Sequence, residues 1–441
     1  MNLIASKIQR MLKSKSSSAA TLQTLLTRIF ILVLNVATGV ITARFLGADG
    51  RGEQAAIIMW PMFLASLLTL GMHSALVYNL KRYQDEESEL FSAALLLSIA
   101  LGLLASAIGI LFMPLWMKQY SPEIIRIAQW FMLTAPAFLI SLVCTGALEA
   151  KGHFTISNQS RYLGPLVTLV ILSGLVLTGT LTPLTSGLAY VLPSVPITFW
   201  MLIQLFRFFH FTLRSLRESY KRLLSYSLRS YGIDLLGTLS AQIGSVLVIG
   251  LLTPADMGLY AVAINLSRTL GLLQSSVITV LLPRISARPV PEVVALTGRI
   301  ARITGTGLMA IAIVVMLICP ILLQLLYGHE FLKAVSVLRI LLLDSVISCT
   351  SWVFTQAFMA VGRPGLVTIL QAIGLGLTVP LTVMFVPLWG LEGAGLALLC
   401  SSGLRFLLAL AGFPFVLKVQ LPGLIVTRED ILFLRQRFQV K

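Results

Sequence analysis

Long apolar runs alternate with short polar breaks along nearly the whole chain. The runs fall at approximately 22–45, 55–79, 90–117, 124–148, 156–181, 185–206, 224–252, 256–282, 300–327, 334–360, 365–387 and 392–417. Each approaches or exceeds the roughly 20 residues that a helix needs to cross a bilayer core. Lipid offers the backbone no hydrogen bonds, so every N–H and C=O must be paired within the segment that carries it, and such runs read as helices. Alternating segments of about ten residues, the mark of a membrane barrel, are not visible. The pattern predicts an all-α polytopic membrane protein with about twelve transmembrane helices.

Composition supports this and adds an orientation. Of 441 residues, 57% are hydrophobic and 11% are charged, against about 25% charged in soluble domains. The net charge is +16. Most lysines and arginines lie at the two ends of the chain and after even-numbered runs, with a dense group at Arg207, Arg214, Arg217, Lys221, Arg222 and Arg229. The positive-inside bias then places both termini in the cytoplasm. It explains the charge without a nucleic-acid partner. A multi-pass protein of the inner or plasma membrane is expected.

The first 20 residues are polar and basic, and the run after them lacks a cleavage site, so they do not read as a cleavable signal. The segment 207–223 carries an apolar stripe of Leu213, Leu216, Tyr220 and Leu223 among its basic residues and predicts a helix on the membrane surface. The tail sequence TREDILFLRQRFQVK predicts another, opened by a Thr427/Asp430 capping box.

The chain also repeats itself. FLGADGRGEQAA (45–56) has an echo in LLTPADMGLYAVA (251–263): Ala48-Asp49 matches Ala255-Asp256 at an offset of 207, and Gly52 matches Gly258 at 206. EAKGHF (149–154) is echoed by MAVGRP (359–364) at 210. Two parallel six-span halves follow, giving a basic segment 1–21, a first lobe 22–206, the linker 207–223, a second lobe 224–417 and a tail 418–441. Weak internal symmetry of this kind is typical of transporters. Glu53 and Arg51 have no counterpart in the second copy, and no nucleotide-binding glycine pattern or Walker lysine is present. The motif therefore reads as a turn, its glycine supplying positive φ and its aspartate a helix cap.

TARFLGADGRGEQA, its echo, GALEAKGHF and the six-plus-six layout resemble the polysaccharide-biosynthesis, O-antigen-type flippases of the multidrug/oligosaccharidyl-lipid/polysaccharide (MOP) exporter superfamily. The resemblance covers essentially the whole chain. It implies a MATE-like fold and an alternating-access flippase for a polyprenyl-pyrophosphate-linked oligosaccharide, driven by a proton or sodium gradient. It also implies lipid and other polysaccharide-assembly membrane proteins as partners, and no cofactor. Lipid II flippases usually carry fourteen spans, and the count here is twelve.

Five charges lie inside predicted spans: Arg28, Asp234, Arg268, Asp344 and Arg405. A central charge costs roughly 2.5–3.5 kcal/mol on insertion scales, so each needs a partner or a wet cavity. Polar residues accompany them at helical spacing: Asn35 with Arg28, Gln242 with Asp234, and Asn265 with Arg268. Arg28 and Asp234 are 206 apart, at pseudo-equivalent positions of the two halves. Asp344 and Arg405 form a candidate structural pair.

The resemblance implies that Arg28 and Arg268, on spans one and eight, form a cationic cavity for the pyrophosphate. Asp234 matches one of the acids that hold sodium in some relatives. Span eleven supplies no second acid, only Gln371, Thr378 and Thr382. His73, with Ser66 and Thr69 on its face, reads as a packed neutral histidine, with cavity lining as the alternative, and neither the histidines nor Cys144, Cys319, Cys349 and Cys400 show metal-ligand spacing. Two alternatives remain open. One is a drug or cation antiporter on the same fold, which would favour an acidic cavity. The other is a membrane glycosyltransferase or polymerase, which would need a larger external loop than the sequence leaves room for.

Overall fold

The computed structural model of the chain describes residues 17–285, 288–424, 426, 427 and 430. All regular structure among them is helical: α1 Ser17–Leu67, α2 Met72–Arg82, α3 Glu87–Trp116, α4 Pro122–Phe131, α5 Ala135–Ala150, α6 Phe154–Leu177, α7 Pro183–Val191, α8 Ser194–Leu205, α9 Leu216–Leu251, α10 Pro254–Arg268, α11 Leu270–Ile285, α12 Val290–Leu326, α13 Val335–Ala360 and α14 Pro364–Gly412.

Seven stretches of the described residues are long and apolar enough to cross a membrane. The longest are Thr27–Leu67 and Pro364–Leu417, of 41 and 54 residues. At 1.5 Å per residue, 41 helical residues would extend roughly 60 Å, twice the hydrocarbon core. Each of these stretches is two helices joined at a glycine in the left-handed region, Gly47 (φ 70°) and Gly390 (φ 53°). The FLGADGRGEQAA stretch is thus a turn, but the residue that turns is Gly47. The repeated Gly52 and Gly258 are buried within helices and do not turn the chain.

Other starts and stops follow local chemistry. α4, α7 and α10 begin with a hydroxyl residue followed by proline, and Ser121, Thr182 and Thr253 each cap their helix. Proline at the first helical position has a preset φ and lacks an N–H that would otherwise be unpaired. The repeated Asp256 completes a capping box: its carboxylate accepts from the Thr253 amide at 3.3 Å while its own amide donates to Thr253 Oγ1 at 3.3 Å.

The second predicted span breaks between α1 and α2, where Leu70 (φ 47°) and Gly71 (φ 69°) are left-handed. The break strands carbonyls, and α9 covers two of them. Tyr231 Oη donates to Leu67 O and Ser227 Oγ donates to Leu70 O.

The linker differs from expectation. Its first part is coil, pinned by the amides of His210 and Thr212 donating to Ser88 Oγ and Ser92 Oγ, both at 3.1 Å. A left-handed Ser215 (φ 49°) then starts α9, which runs without a break into the seventh apolar run. The surface helix that the apolar stripe predicted is therefore not a separate element. The basic segment up to residue 16 and the tail after residue 430 lie outside the described residues.

The chain forms two compact units, Met1–Thr238 and Leu239–Lys441, divided within α9. The first packs Met72, Leu76, Phe91, Leu148 and Phe209 into its core. Helices approach closely there: a Cβ on Gly102 would lie 2.4 Å from the Cα of Pro136. The second unit's core includes Phe354, Phe358 and Phe413. Large apolar side chains also face outward in both units, Leu177 at 88% and Leu317 at 72% exposure among them. Apolar exposure on this scale marks a surface made for lipid rather than water.

Candidate functional site

The second unit gathers three of the five predicted intramembrane charges. Arg268 ends α10 and Asp344 lies on α13; both line a cavity of about 230 Å³ together with Ser240, Tyr260 and Ser348. Gly244 makes room for the buried Tyr260: a Cβ there would lie 2.7 Å from the phenol oxygen. Arg268 donates to the carbonyl of Ala241 on α9 and is otherwise open to the cavity. Asp344 Oδ1 is buried and has no hydrogen-bond partner among the described residues. The carboxylate faces Ser402 and lies within electrostatic range of both Arg268 and Arg405.

Arg405, on α14, is held differently. It donates to Gln371 Oε1 at 3.1 Å and to Ser348 Oγ at 2.9 Å, and Ser348 in turn is 2.9 Å from Ser402 Oγ. Among the described residues no ion pair within 4.0 Å joins it to Asp344; serines lie between them. Gln371 is thus an arginine partner. Thr382 donates to the carbonyl of Thr378, Thr378 Oγ1 is 2.9 Å from Ser401 Oγ, and Ser401 donates to the Gly374 carbonyl at 2.6 Å, so span eleven's polar residues stitch two helices together.

In the first unit, Asn35 and Thr38 line a second cavity, about 400 Å³, with Ser141, Arg161 and Tyr190. Arg28 is exposed on α1. Gln242 is half-buried and Asn265 is exposed, both outside the lining of the Arg268 cavity. The Asp234 side chain lies outside the described residues.

A third group is absent from the expectations. Glu149, at the end of α5, accepts from Arg161 at 2.6 Å and from Ser157 at 3.0 Å, and its other oxygen is 3.3 Å from His73 Nε2. His73 therefore meets a carboxylate rather than only apolar neighbours. The sequence carried a signal: Glu149 belongs to the repeated EAKGHF stretch, and Met359 stands at its counterpart. Among the cysteines, Cys144, Cys319 and Cys349 are buried and Cys400 is exposed. No group of three or more His, Cys, Asp or Glu side chains among the described residues could hold a metal.

The lining of the second-unit cavity carries one guanidinium, Arg268, and one carboxylate, Asp344, with Arg405 held behind Ser348. Guanidinium forks make bidentate, charge-assisted bonds to phosphate oxygens.

Comparison with solved structures agrees with the helical plan. One similar structure is a "Lipid II flippase MurJ, inward closed conformation", at TM-score 0.74 and 15% identity, covering 96% of this chain and 91% of that one. Another is an inward-facing multidrug resistance MATE family transporter of the MOP superfamily, at TM-score 0.71 and 18% identity, covering 90% and 94%. A third, from Pyrococcus furiosus, is a MOP superfamily transporter described as having a binding pocket of reverse polarity, at TM-score 0.57 and 16% identity, covering 91% and 95%. At these identities the likeness is one of fold. No curated protein matches the sequence. Residues 15–288, more than half of the chain, match the family described as "Polysaccharide biosynthesis protein". The chain is a multi-pass membrane protein of that polysaccharide biosynthesis family, with the fold of the MOP superfamily.

Proposed function

We propose that the protein is an alternating-access flippase that carries a polyprenyl-pyrophosphate-linked oligosaccharide from the cytoplasmic to the external leaflet for cell-surface polysaccharide synthesis. In this reading twelve spans form two six-span repeats with both termini in the cytoplasm. The repeats rock about a cavity while the polyprenyl chain stays in lipid. Arg28 and Arg268 hold the pyrophosphate. Asp234 is the coupling acid: protonated, it frees an arginine for substrate, and ionised, it competes for that arginine. An ion drives such a cycle only through different affinities for the two states.

The observation that carries the reading is Arg268 open to a cavity that it shares with one acid, Asp344. An accessible guanidinium suits a diphosphate better than a cationic drug. The family supplies the polysaccharide context, and a lipid II flippase shares the fold. The transporter likeness also weighs against an enzyme.

The test is reconstitution of the purified protein in liposomes with defined lipid-linked sugars. Translocation of at least one of them is expected. Export of cationic drugs with no movement of any lipid-linked sugar would replace this reading with the antiporter.

A further inference from the structure

The His73–Glu149–Arg161 cluster stands between two cavities of the first unit. Arg161 lines the inner one, about 400 Å³, which also contains Asn35. His73 and Glu149 line an outer one, about 730 Å³, whose walls include Tyr78, Lys81, Arg82 and Tyr226. The inner volume falls within the roughly 300–1,000 Å³ of small-ligand pockets, and the outer one is a groove open to its surroundings. One carboxylate therefore joins a residue of the outer chamber to a residue of the inner one.

The internal repeat separates what the fold needs from what it does not. The turn after Glu149 recurs in the second half with the same geometry: Gly152 has φ 79° and its counterpart Gly362 has φ 77°. The cluster does not recur. At the same offset of 210, Met359 replaces Glu149 and Gln371 replaces Arg161. The turn forms without the carboxylate, so Glu149 answers some other requirement.

The outer chamber's chemistry indicates which. Glu149 is already engaged by Arg161, Ser157 and His73, so Lys81 and Arg82 leave the chamber with an excess of positive charge. Tyr78 and Tyr226 stack at 4.3 Å with an interplanar angle of 17°, and the Arg82 guanidinium lies 5.7 Å from the Tyr78 ring centroid. Cations select phosphate. A stacked aromatic pair offers a flat apolar face for the C–H side of a sugar ring, which a plain lipid phosphate cannot use.

We propose that this chamber is a receiving site for a sugar carrying a phosphate or diphosphate: Lys81 and Arg82 hold the anion, Tyr78 and Tyr226 seat the sugar, and the Glu149 cluster is the passage towards the inner cavity. That the sugar phosphate is part of a lipid-linked substrate rests on the flippase reading.

The test places a reporter in the chamber itself. Ser74 lines it and is exposed, so Ser74→Cys is labelled with an environment-sensitive fluorophore in a Cys400→Ser background. The protein is titrated in neutral-lipid nanodiscs with farnesyl diphosphate and with farnesyl-diphosphate-linked N-acetylglucosamine. The label is expected to respond to both and to bind the sugar-bearing probe more tightly. Lys81→Ala with Arg82→Ala should weaken both by about tenfold, a change in affinity large enough to read directly. Lys81→Arg with Arg82→Lys should restore binding, which a folding defect would not allow. Tyr78→Ala should erase the preference for the sugar.

Unchanged affinity in the double alanine variant overturns the proposal. So does an equal response to phosphatidylglycerol nanodiscs with no probe added, which would make the chamber a lipid-headgroup site. Flipping by a protein whose label stays silent removes this inference alone. A responsive label on a protein that flips nothing removes the flippase reading and leaves the site.

Discussion

Tyr231 donates its phenol hydrogen bond to the carbonyl of Leu67, the last residue of α1. Three residues on, Leu70 O accepts from Ser227. The two side chains lie one helical turn apart on α9 and substitute for the bonds that a continuous helix would have made. Tyr231→Phe should leave a partly buried carbonyl without a partner and cost about 1–3 kcal/mol. A lower Tm in detergent is expected, and a larger drop when Ser227→Ala is added. An unchanged Tm would show that the break needs no support from α9.

Gly102→Ala should be among the most damaging small changes. The added methyl would meet Pro136 backbone at 2.4 Å, so α3 and α5 must separate. Overpacking of this kind costs about 1–3 kcal/mol or more. Gly174→Ala meets nothing within 4 Å and should be neutral. Thermal unfolding of the two variants side by side checks the contrast. Equal Tm values would contradict the packing.

Arg268→Ala should reduce flipping to background with protein level unchanged, and Arg268→Lys should recover only part of it because the planar fork is lost. Arg405→Ala should behave differently. It strands Gln371 and Ser348 between helices and should lower Tm as much as transport. Full transport by Arg28→Ala with Arg268→Ala would end the cationic-cavity reading. Asp234→Asn should flatten the pH dependence of transport while substrate binding persists, measured with proteoliposomes at a series of pH values.

The described end of the tail is latched to α12. Asp430 accepts from Arg302 at 2.9 and 3.0 Å and from Arg299 at 3.1 Å, and its carboxylate also caps Thr427 at 3.0 Å. Hydrogen bonds from Arg302, reinforced by Thr427, hold the Asp430 carboxyl well below the usual carboxylate range. A depressed folded-state pKa stabilises the latch above the unfolded value, about 3.9. That contribution declines as pH falls below this value towards the folded-state pKa. The latch should therefore be indifferent to pH between about 5 and 8. Asp430→Asn should lower Tm in detergent at neutral pH, because Arg299 and Arg302 lose their carboxylate partner. An unchanged Tm would mean that the latch adds nothing to stability.

What was legible in the sequence was whatever is encoded locally. The apolar runs marked the helices, and the Thr427/Asp430 spacing gave one half of a capping box, the Thr427 amide donating to the Asp430 carboxylate while the Asp430 amide donates to the Thr427 carbonyl. The rest depends on partners far away in the chain. The coil at 209–213 is fixed by serines on α3, more than a hundred residues earlier, while the rest of the apolar stripe, Leu216, Tyr220 and Leu223, is helical within α9. Arg268 and Asp344 could be picked out as costly charges, but their shared cavity depends on how α10 and α13 pack. Glu149 was visible as a letter in a repeated motif. Its partners His73 and Arg161 come from two other helices.

The sequence predicts the second lobe from residue 224, while the compact units divide at Thr238 and Leu239. The start of that lobe therefore packs as the last part of the first unit, fastened there by Ser227 and Tyr231. A chain severed in the coil at 209–213 would leave two fragments that are not independent. The second would carry a helical strap whose seat lies in the first, and neither seat nor strap could be satisfied alone. Such a cut protein should reassemble when its pieces are made together. A cut at 238 would separate two units that each keep their own contacts but would sever α9 itself.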